Sequence, residues 1–133
     1  MIGGRVLDVS ALTDAAIGKT VYTRALVRTA VEHGIVLAVP TAALMAAWSA
    51  IAPGDRPFLE ILLDLPVAVI EPLDESSARD AGLLLATARD PSAASVVAGH
   101  VAWSARRRGW PVVTAEPGPL RSIDPTVEID PLP

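Results

Sequence analysis

Short aliphatic runs alternate along this chain with longer segments of mixed polarity. The runs at residues 5–9, 35–39, 67–70 and 112–113 are typical of strands that are buried on both faces of a sheet. The segments between them predict helices over residues 10–17, 20–33, 42–52, 58–63, 74–88 and 92–108. This alternation predicts an α/β protein, a three-layer α/β/α sandwich with a mostly parallel central sheet, in a single domain over residues 1–133.

Glycine and proline residues mark the expected helix ends. Gly18, Gly34 and Gly109 each follow a predicted helix, where a left-handed residue commonly ends the last turn. Asp90 and Pro91 predict a cap and a first position for the last long helix. Beyond the strand at 112–113, we expect residues 114–118 to form a loop and residues 127–129 to form a short edge strand.

Composition narrows the classes of function. The net charge of −4 argues against a broad basic surface for nucleic acid. The absence of cysteine excludes disulfides, thiolate zinc sites and a cysteine nucleophile. Pro40 divides the most apolar stretch, residues 35–52, which we interpret as a strand and a helix rather than a membrane span. Arg5 and Asp8 interrupt any signal-peptide core, so we expect a cytoplasmic protein with no membrane association.

Asp8 is the first candidate for chemistry. It lies at the carboxyl end of the first predicted strand, where open parallel sheets place their ligands. A carboxylate within an apolar run needs a partner, because an isolated buried charge costs several kcal/mol. A second interpretation is equally open: Asp8 or Ser10 caps the helix that follows.

Several short motifs, in this order and spacing, resemble PIN domains, in particular the bacterial VapC-like toxins. The resemblance rests on the strand that ends in Asp-x-Ser, on Val39-Pro40 before a helix, on Ile70-Glu71-Pro72-Leu73-Asp74, and on the segment from His100 through Arg106-Arg107-Arg108-Gly109 and Val112-Val113-Thr114 to Leu120. It implies a small α/β/α sandwich and, in active members, an endoribonuclease that uses Mg²⁺ or Mn²⁺. It also implies small antitoxin partners, which often carry a DNA-binding module, and dimers.

In such enzymes, three or four acids at the carboxyl edge of the sheet hold the metal, which activates water and stabilises charge on phosphate. Asp8 matches the first acid, and Glu116 stands at the place of the fourth, where the family has aspartate. Ala46 and Ala98 occupy the places of the second and third acids, and no Asp or Glu lies between Glu32 and Asp55 or between Asp90 and Glu116. The extra methylene of Glu116 adds about 1.5 Å, beyond the ~0.5 Å tolerance of a preorganised site.

The first hypothesis is therefore a degenerate PIN domain without catalysis or metal cofactor. It would act as a regulatory subunit that binds a small antitoxin-like, DNA-binding protein and forms a homodimer. Asp8, Ser10, Ala46, Ala98, Thr114 and Glu116 would form the remnant pocket, with Asp8 hydrogen-bonded to Ser10 and Thr114. The alternative is a weak endoribonuclease in which Asp8 and Glu116 bind Mg²⁺ or Mn²⁺.

The arginines at the end of the last long helix have two interpretations. Arg106, Arg107 and Arg108 complement the negative end of the helix dipole, as a solvated helix end would. They could instead contact phosphate or an acidic partner, although the net charge disfavours direct binding of nucleic acid. His100 is interpreted as a hydrogen-bonded structural residue.

Overall fold

The computed structural model of the chain describes residues 3–133, so residues 1 and 2 of the predicted domain lie outside it. The strands are β1 (Gly4–Leu7), β2 (Val36–Pro40), β3 (Ala68–Glu71), β4 (Val112–Thr114) and β5 (Ile129–Pro131). The helices are α1 (Val9–Ile17), α2 (Tyr22–His33), α3 (Thr41–Ala50), α4 (Arg56–Asp64), α5 (Glu75–Leu85), α6 (Val96–Arg108) and α7 (Pro117–Ile123). A single 3-10 turn, Pro53–Asp55, separates α3 from α4.

All five strands pair in parallel, in the order β3-β2-β1-β4-β5. Crossovers between parallel strands are almost always right-handed. The connections from β1 to β2 and from β2 to β3 run in one direction across the sheet, so α1 to α4 lie on one face. The connections from β3 to β4 and from β4 to β5 run in the opposite direction, so α5 to α7 lie on the other face. This is the predicted α/β/α sandwich. The strand order reverses between β1 and β4, and such a switch point is where sheets of this kind bind ligands.

The core is built from aliphatic side chains and alanine, as the composition requires. Val6, Leu7, Val112 and Val113 are fully buried in the two central strands, because helices cover both faces of the sheet. Gly18, Gly34 and Gly109 adopt φ angles of 72°, 69° and 67°, and each ends a helix at the predicted position.

Three predictions of local structure were wrong. Ser95, and not Asp90, caps α6, while Asp90 accepts hydrogen bonds from Ser92 in a separate turn. Residues 117 and 118, predicted as loop, open α7, which begins at Pro117. The last strand forms two residues later than expected, at Ile129–Pro131. In the first two cases a proline fits more than one local structure. In the third, pairing with β4 sets the position of the strand.

Several boundaries also moved by one to three residues, and two of them bear on the prediction. Strand β1 ends at Leu7, two residues before the predicted end at Val9, so Asp8 lies just outside the strand. Helix α5 ends at Leu85 rather than at residue 88. Among the described residues, no helix is both long and apolar enough to cross a bilayer.

Candidate functional site

A cavity of about 490 Å³ lies at the switch point, beyond the carboxyl ends of β1 and β4. Four of the predicted site residues line it: Asp8 after β1, Ser10 on α1, Ala98 on α6 and Glu116 after β4. The remaining wall is Val9, Thr13, Ala93, Ser95, Val97, Pro119 and Leu120. The structure thus brings together residues that are more than 100 positions apart in the sequence.

Asp8 caps α1. Its Oδ1 accepts a hydrogen bond from the backbone N–H of Val9 at 2.8 Å, and its Oδ2 accepts one from the hydroxyl of Thr114 at 2.8 Å. The capping interpretation is therefore confirmed, and Asp8 also ties the end of β1 to the end of β4. Both carboxylate oxygens have protein donors.

Thr114 and Ser10 continue this network across the strand ends. Because Thr114 donates its only hydroxyl proton to Asp8, Ser10 Oγ, 3.3 Å away, must be the donor to Thr114 Oγ1. The two hydroxyls also accept backbone N–H bonds, Ser10 from Ala115 and Thr114 from Glu116, at 2.9 Å each. The expected contact of Asp8 with Thr114 is present, while Ser10 reaches Asp8 only through Thr114.

The charged side chains among the described residues that line the cavity are the carboxylates of Asp8 and Glu116. Burial raises the pKa of the Asp8 carboxyl above its ordinary value, and the nearby charge of Glu116 raises it further. The hydrogen bonds from Val9 and Thr114 act in the opposite direction but do not outweigh burial. Among residues 3–133, no lysine, arginine or histidine lines the cavity.

The cavity offers few side-chain ligands for a divalent metal. Within residues 3–133, no group of three or more His, Asp or Glu is placed to hold a metal ion. Ala98 brings only a methyl group to the cavity wall, and Ala46 lies on α3 outside the residues that line the cavity. Asp8 and Glu116 offer two carboxylates, fewer than the three or four acids that the resemblance implies, and both oxygens of Asp8 already accept hydrogen bonds.

The three arginines lie away from this cavity, and two of them are already paired. Arg108 Nε lies 2.8 Å and Arg107 Nη1 3.1 Å from Glu71, the last residue of β3. The side chain of Glu71 is 6 % exposed and also accepts a hydrogen bond from Ser104 at 3.2 Å. Arg106 is exposed and lines a separate small cavity beside Trp110.

This cluster, Glu71 with Ser104, Arg107 and Arg108, was not predicted from the sequence. Burial opposes ionisation of Glu71, but the hydrogen bond from Arg108 and the charges of both arginines outweigh it and lower its pKa. The signal that could have found it is the one that singled out Asp8: a carboxylate at the end of an aliphatic run.

His100 is buried on α6, and its Nδ1 accepts a long hydrogen bond, 3.4 Å, from the backbone of Ala42 at the start of α3. Burial lowers its pKa. The structural interpretation is supported, although Nε2 has no hydrogen-bond partner among the described residues.

Comparison with known proteins adds the fold to this picture. No protein-family model matches the sequence, and no curated protein is detectably similar to it. The structure is similar to a chain of VapBC2 from Rickettsia felis, solved bound to a DNA fragment from the promoter of that system. The TM-score is 0.68 at 12 % identity, over 98 % of this chain and 99 % of that one. The fold is PIN-like.

Proposed function

We propose that this chain is a catalytically inactive PIN-like protein that acts by binding another protein. The observation that carries the proposal is the cavity at the switch point, which has the position of a nuclease site but two carboxylates and no metal cluster among residues 3–133. A single approaching phosphate would meet Asp8 and Glu116 without a cation between them. The cavity therefore suits recognition better than phosphodiester chemistry.

The partner we propose is a small antitoxin-like protein with a DNA-binding module, and the chain would serve as the regulatory subunit of that pair in the cytoplasm. The likeness to VapBC2, which was solved bound to DNA from its promoter, supports this choice of partner class. We also propose a homodimer, which light scattering on the purified chain measures directly.

One alternative has a specific observation in its favour. Asp8 and Glu116 do line the same cavity, so a weak endoribonuclease using Mg²⁺ or Mn²⁺ is the second candidate. It needs metal, whereas the binding role does not.

RNA cleavage with Mg²⁺ and with Mn²⁺ separates the two functions. We expect no cleavage by the wild-type chain above that by an Asp8→Ala variant purified in parallel, which controls for contaminating nucleases. Metal-dependent cleavage that is lost on Asp8→Ala would overturn the proposal in favour of the alternative.

A restored variant tests the reason for inactivity. Ala46→Glu, Ala98→Asp and Glu116→Asp together return the acids whose places the sequence resemblance identified. Asp at position 98 would lie in the first turn of α6, where the helix dipole favours a negative charge. We expect calorimetry to detect Mn²⁺ binding to this triple variant and none to the wild type at millimolar metal, with circular dichroism confirming that both are folded.

A further inference from the structure

A separate cavity, of about 160 Å³, lies at the edge of the sheet opposite to Asp8. The carboxyl end of α6, the residues that lead into β4 and the turn from α7 to β5 border it. Because the strands are all parallel, this edge holds their amino ends, whereas Asp8 and Glu116 follow carboxyl ends. We refer to this space as the Trp110 cavity, and a ligand in it would leave the cavity at Asp8 open.

Three charged side chains line the Trp110 cavity: Arg106 from α6, Asp124 after α7 and Glu128 before β5. Arg106 and Glu128 are exposed, whereas Asp124 is only 5 % exposed. None of the three forms an ion pair with another, or with any side chain of residues 3–133. Charges of opposite sign thus share one small cavity without neutralising each other.

Asp124 is held in place by its own turn. Its Oδ1 accepts hydrogen bonds from the backbone N–H and the hydroxyl of Thr126, at 3.0 and 2.7 Å. Its backbone N–H donates to the carbonyl of Leu120 in α7 at 2.8 Å. Within the described part of the chain, no group donates a hydrogen bond to its Oδ2. Because an unpaired charge on a nearly buried side chain is costly, Asp124 Oδ2 is the strongest anchor in the cavity for a cationic donor.

The aromatic wall of the cavity is fixed before any ligand enters. The Trp110 ring packs against Gly4 of β1, where an added Cβ would lie 2.4 Å from the ring. The guanidinium carbon of Arg108 in α6 lies 5.1 Å from the centroid of the same ring. A wall that is already ordered lowers the entropy cost of binding.

The charges of the Trp110 cavity select the class of ligand. An anion would meet Asp124 and Glu128, a simple cation would meet Arg106, and a neutral molecule would leave all of these charges unpaired. A small zwitterion gives each sign a partner. Its ammonium group can donate to Asp124, and its carboxylate can accept from the planar guanidinium of Arg106.

The volume of the cavity limits the size of the ligand. An apolar cavity of about 150 Å³ holds one benzene molecule, so the Trp110 cavity has room for about five to eight non-hydrogen atoms. Glycine, alanine and serine are zwitterions of this size. An amino acid with an aromatic side chain is too large.

We propose that the Trp110 cavity binds a small free α-amino acid, with Asp124 as the partner of its ammonium group and Arg106 as the partner of its carboxylate. This ligand is additional to the protein partner proposed above, and its binding does not depend on that partner.

Glycine and its two halves test the charge pattern by amide chemical-shift titration of the full chain. Acetate carries the carboxylate alone, and methylammonium carries the ammonium group alone. We expect glycine and alanine to bind with a Kd of about 1 mM. Either half should bind at least about threefold more weakly, because it lacks one of the two ion pairs. Saturable shifts should fall on Gly109, Trp110 and Val127, and phenylalanine should produce none there.

Two substitutions separate the two contacts. Arg106→Gln removes the partner of the carboxylate, so methylammonium should bind this variant as tightly as glycine does. Asp124→Asn keeps Oδ1 as the acceptor for Thr126, and it should weaken glycine about fivefold and abolish its advantage over acetate. Arg121→Gln and Asp64→Asn remove the same charges at exposed positions outside the cavity, and both should retain the wild-type affinities.

Equal affinities of the wild type for glycine, acetate and methylammonium would overturn the inference. So would saturable shifts confined to residues outside the Trp110 cavity, no saturable shift with glycine, or an unchanged preference in Arg106→Gln. Because Arg106 is exposed, that variant carries the test even if circular dichroism shows Asp124→Asn to be unfolded. None of these outcomes alters the RNA-cleavage result that tests the proposed function.

Discussion

Asp8 and Glu71 lie at the carboxyl ends of two strands of one sheet, and their surroundings act on them in opposite directions. Asp8 follows β1 and has hydroxyl and backbone donors, and within the described part of the chain its cavity is lined by no cation. Glu71 ends β3 and pairs with Arg107 and Arg108. The pKa of Asp8 is raised by burial, whereas arginine charge overrides burial at Glu71 and lowers its pKa.

The difference shows that position at a strand end does not by itself define a chemical site. Glu71 is a structural anchor, because its charge is consumed in fixing β3 to the last turns of α6. Asp8 keeps unneutralised charge at the mouth of a cavity, which is the property that an external ligand can use. Arg107 and Arg108 of α6 account for the difference, because they pair with Glu71 and lie away from the cavity at Asp8.

Removing Glu71 should produce the largest effect. Glu71→Ala leaves Arg107, Arg108 and Ser104 without their shared acceptor. We expect the free energy of unfolding to fall by about 2–3 kcal/mol. This is less than the loss for a fully buried ion pair, because the side chain of Arg107 is 54 % exposed. Urea denaturation measures it. Glu75→Ala, which removes an exposed i,i+4 pair with Arg79, is the matched control and should leave the midpoint unchanged.

We expect substitutions of Arg108 and Arg106 to differ in their effect on the free energy of unfolding. Arg108→Ala should cost about 1 kcal/mol, since Arg108 is 20 % exposed and makes the shortest contact with Glu71. Arg106→Ala should be close to neutral, because Arg106 is exposed and makes no ion pair within residues 3–133. Equal costs in a thermal or urea series would mean that the Glu71 cluster is not what anchors the end of α6.

Substitutions of Asp8 should reduce stability by less, and the loss should depend on which residue replaces it. Asp8→Ala removes the cap of α1 and the acceptor for Thr114, for a loss of about 1 kcal/mol. Asp8→Asn keeps a capping oxygen, and its amide can donate to Thr114 Oγ1 once the Thr114 hydroxyl turns to donate to Ser10 Oγ, so we expect it to retain most of the wild-type stability. A loss of stability in Asp8→Asn as large as that in Asp8→Ala would show that the charge itself, and not the hydrogen bonds, holds the strand ends together.

The smallest effect is the dependence on pH, and its sign differs between the two carboxylates. The contribution of Glu71 is fully present above its ordinary pKa of 4.5 and is lost as the pH falls through its lowered native pKa. Asp8 binds its proton more tightly when folded, so it reduces stability as the pH rises from its ordinary value of 3.8 to its raised native pKa. Asp8→Asn should therefore gain stability relative to the wild type across that interval, and Glu71→Gln should lack the acid-side loss. Urea denaturation of each variant from pH 3 to pH 7, beside the wild type, measures both slopes (roughly the interval over which carboxyl groups titrate).

Much of the fold could be predicted because its signals are local. The aliphatic runs place β1 to β4, and Gly18, Gly34 and Gly109 end three helices where expected. Two of the three errors fall on segments around Pro91 and Pro117, where the local signal permits either a turn or the start of a helix. In these segments, the packing of α6 and α7 against the rest of the chain determines where each helix begins.

The sequence by itself determined the mostly parallel α/β architecture and showed alanine at positions 46 and 98, because hydrophobic periodicity and residue type are properties of the chain. It also placed Asp8 at the end of its strand. Only the tertiary structure decided that Glu71 pairs with Arg107 and Arg108, and that Ser10 reaches Asp8 through Thr114 and not directly. The physical reason is that the pKa of a carboxylate depends on the residues that contact it from distant segments of the chain. No local sequence pattern specifies which residues those will be.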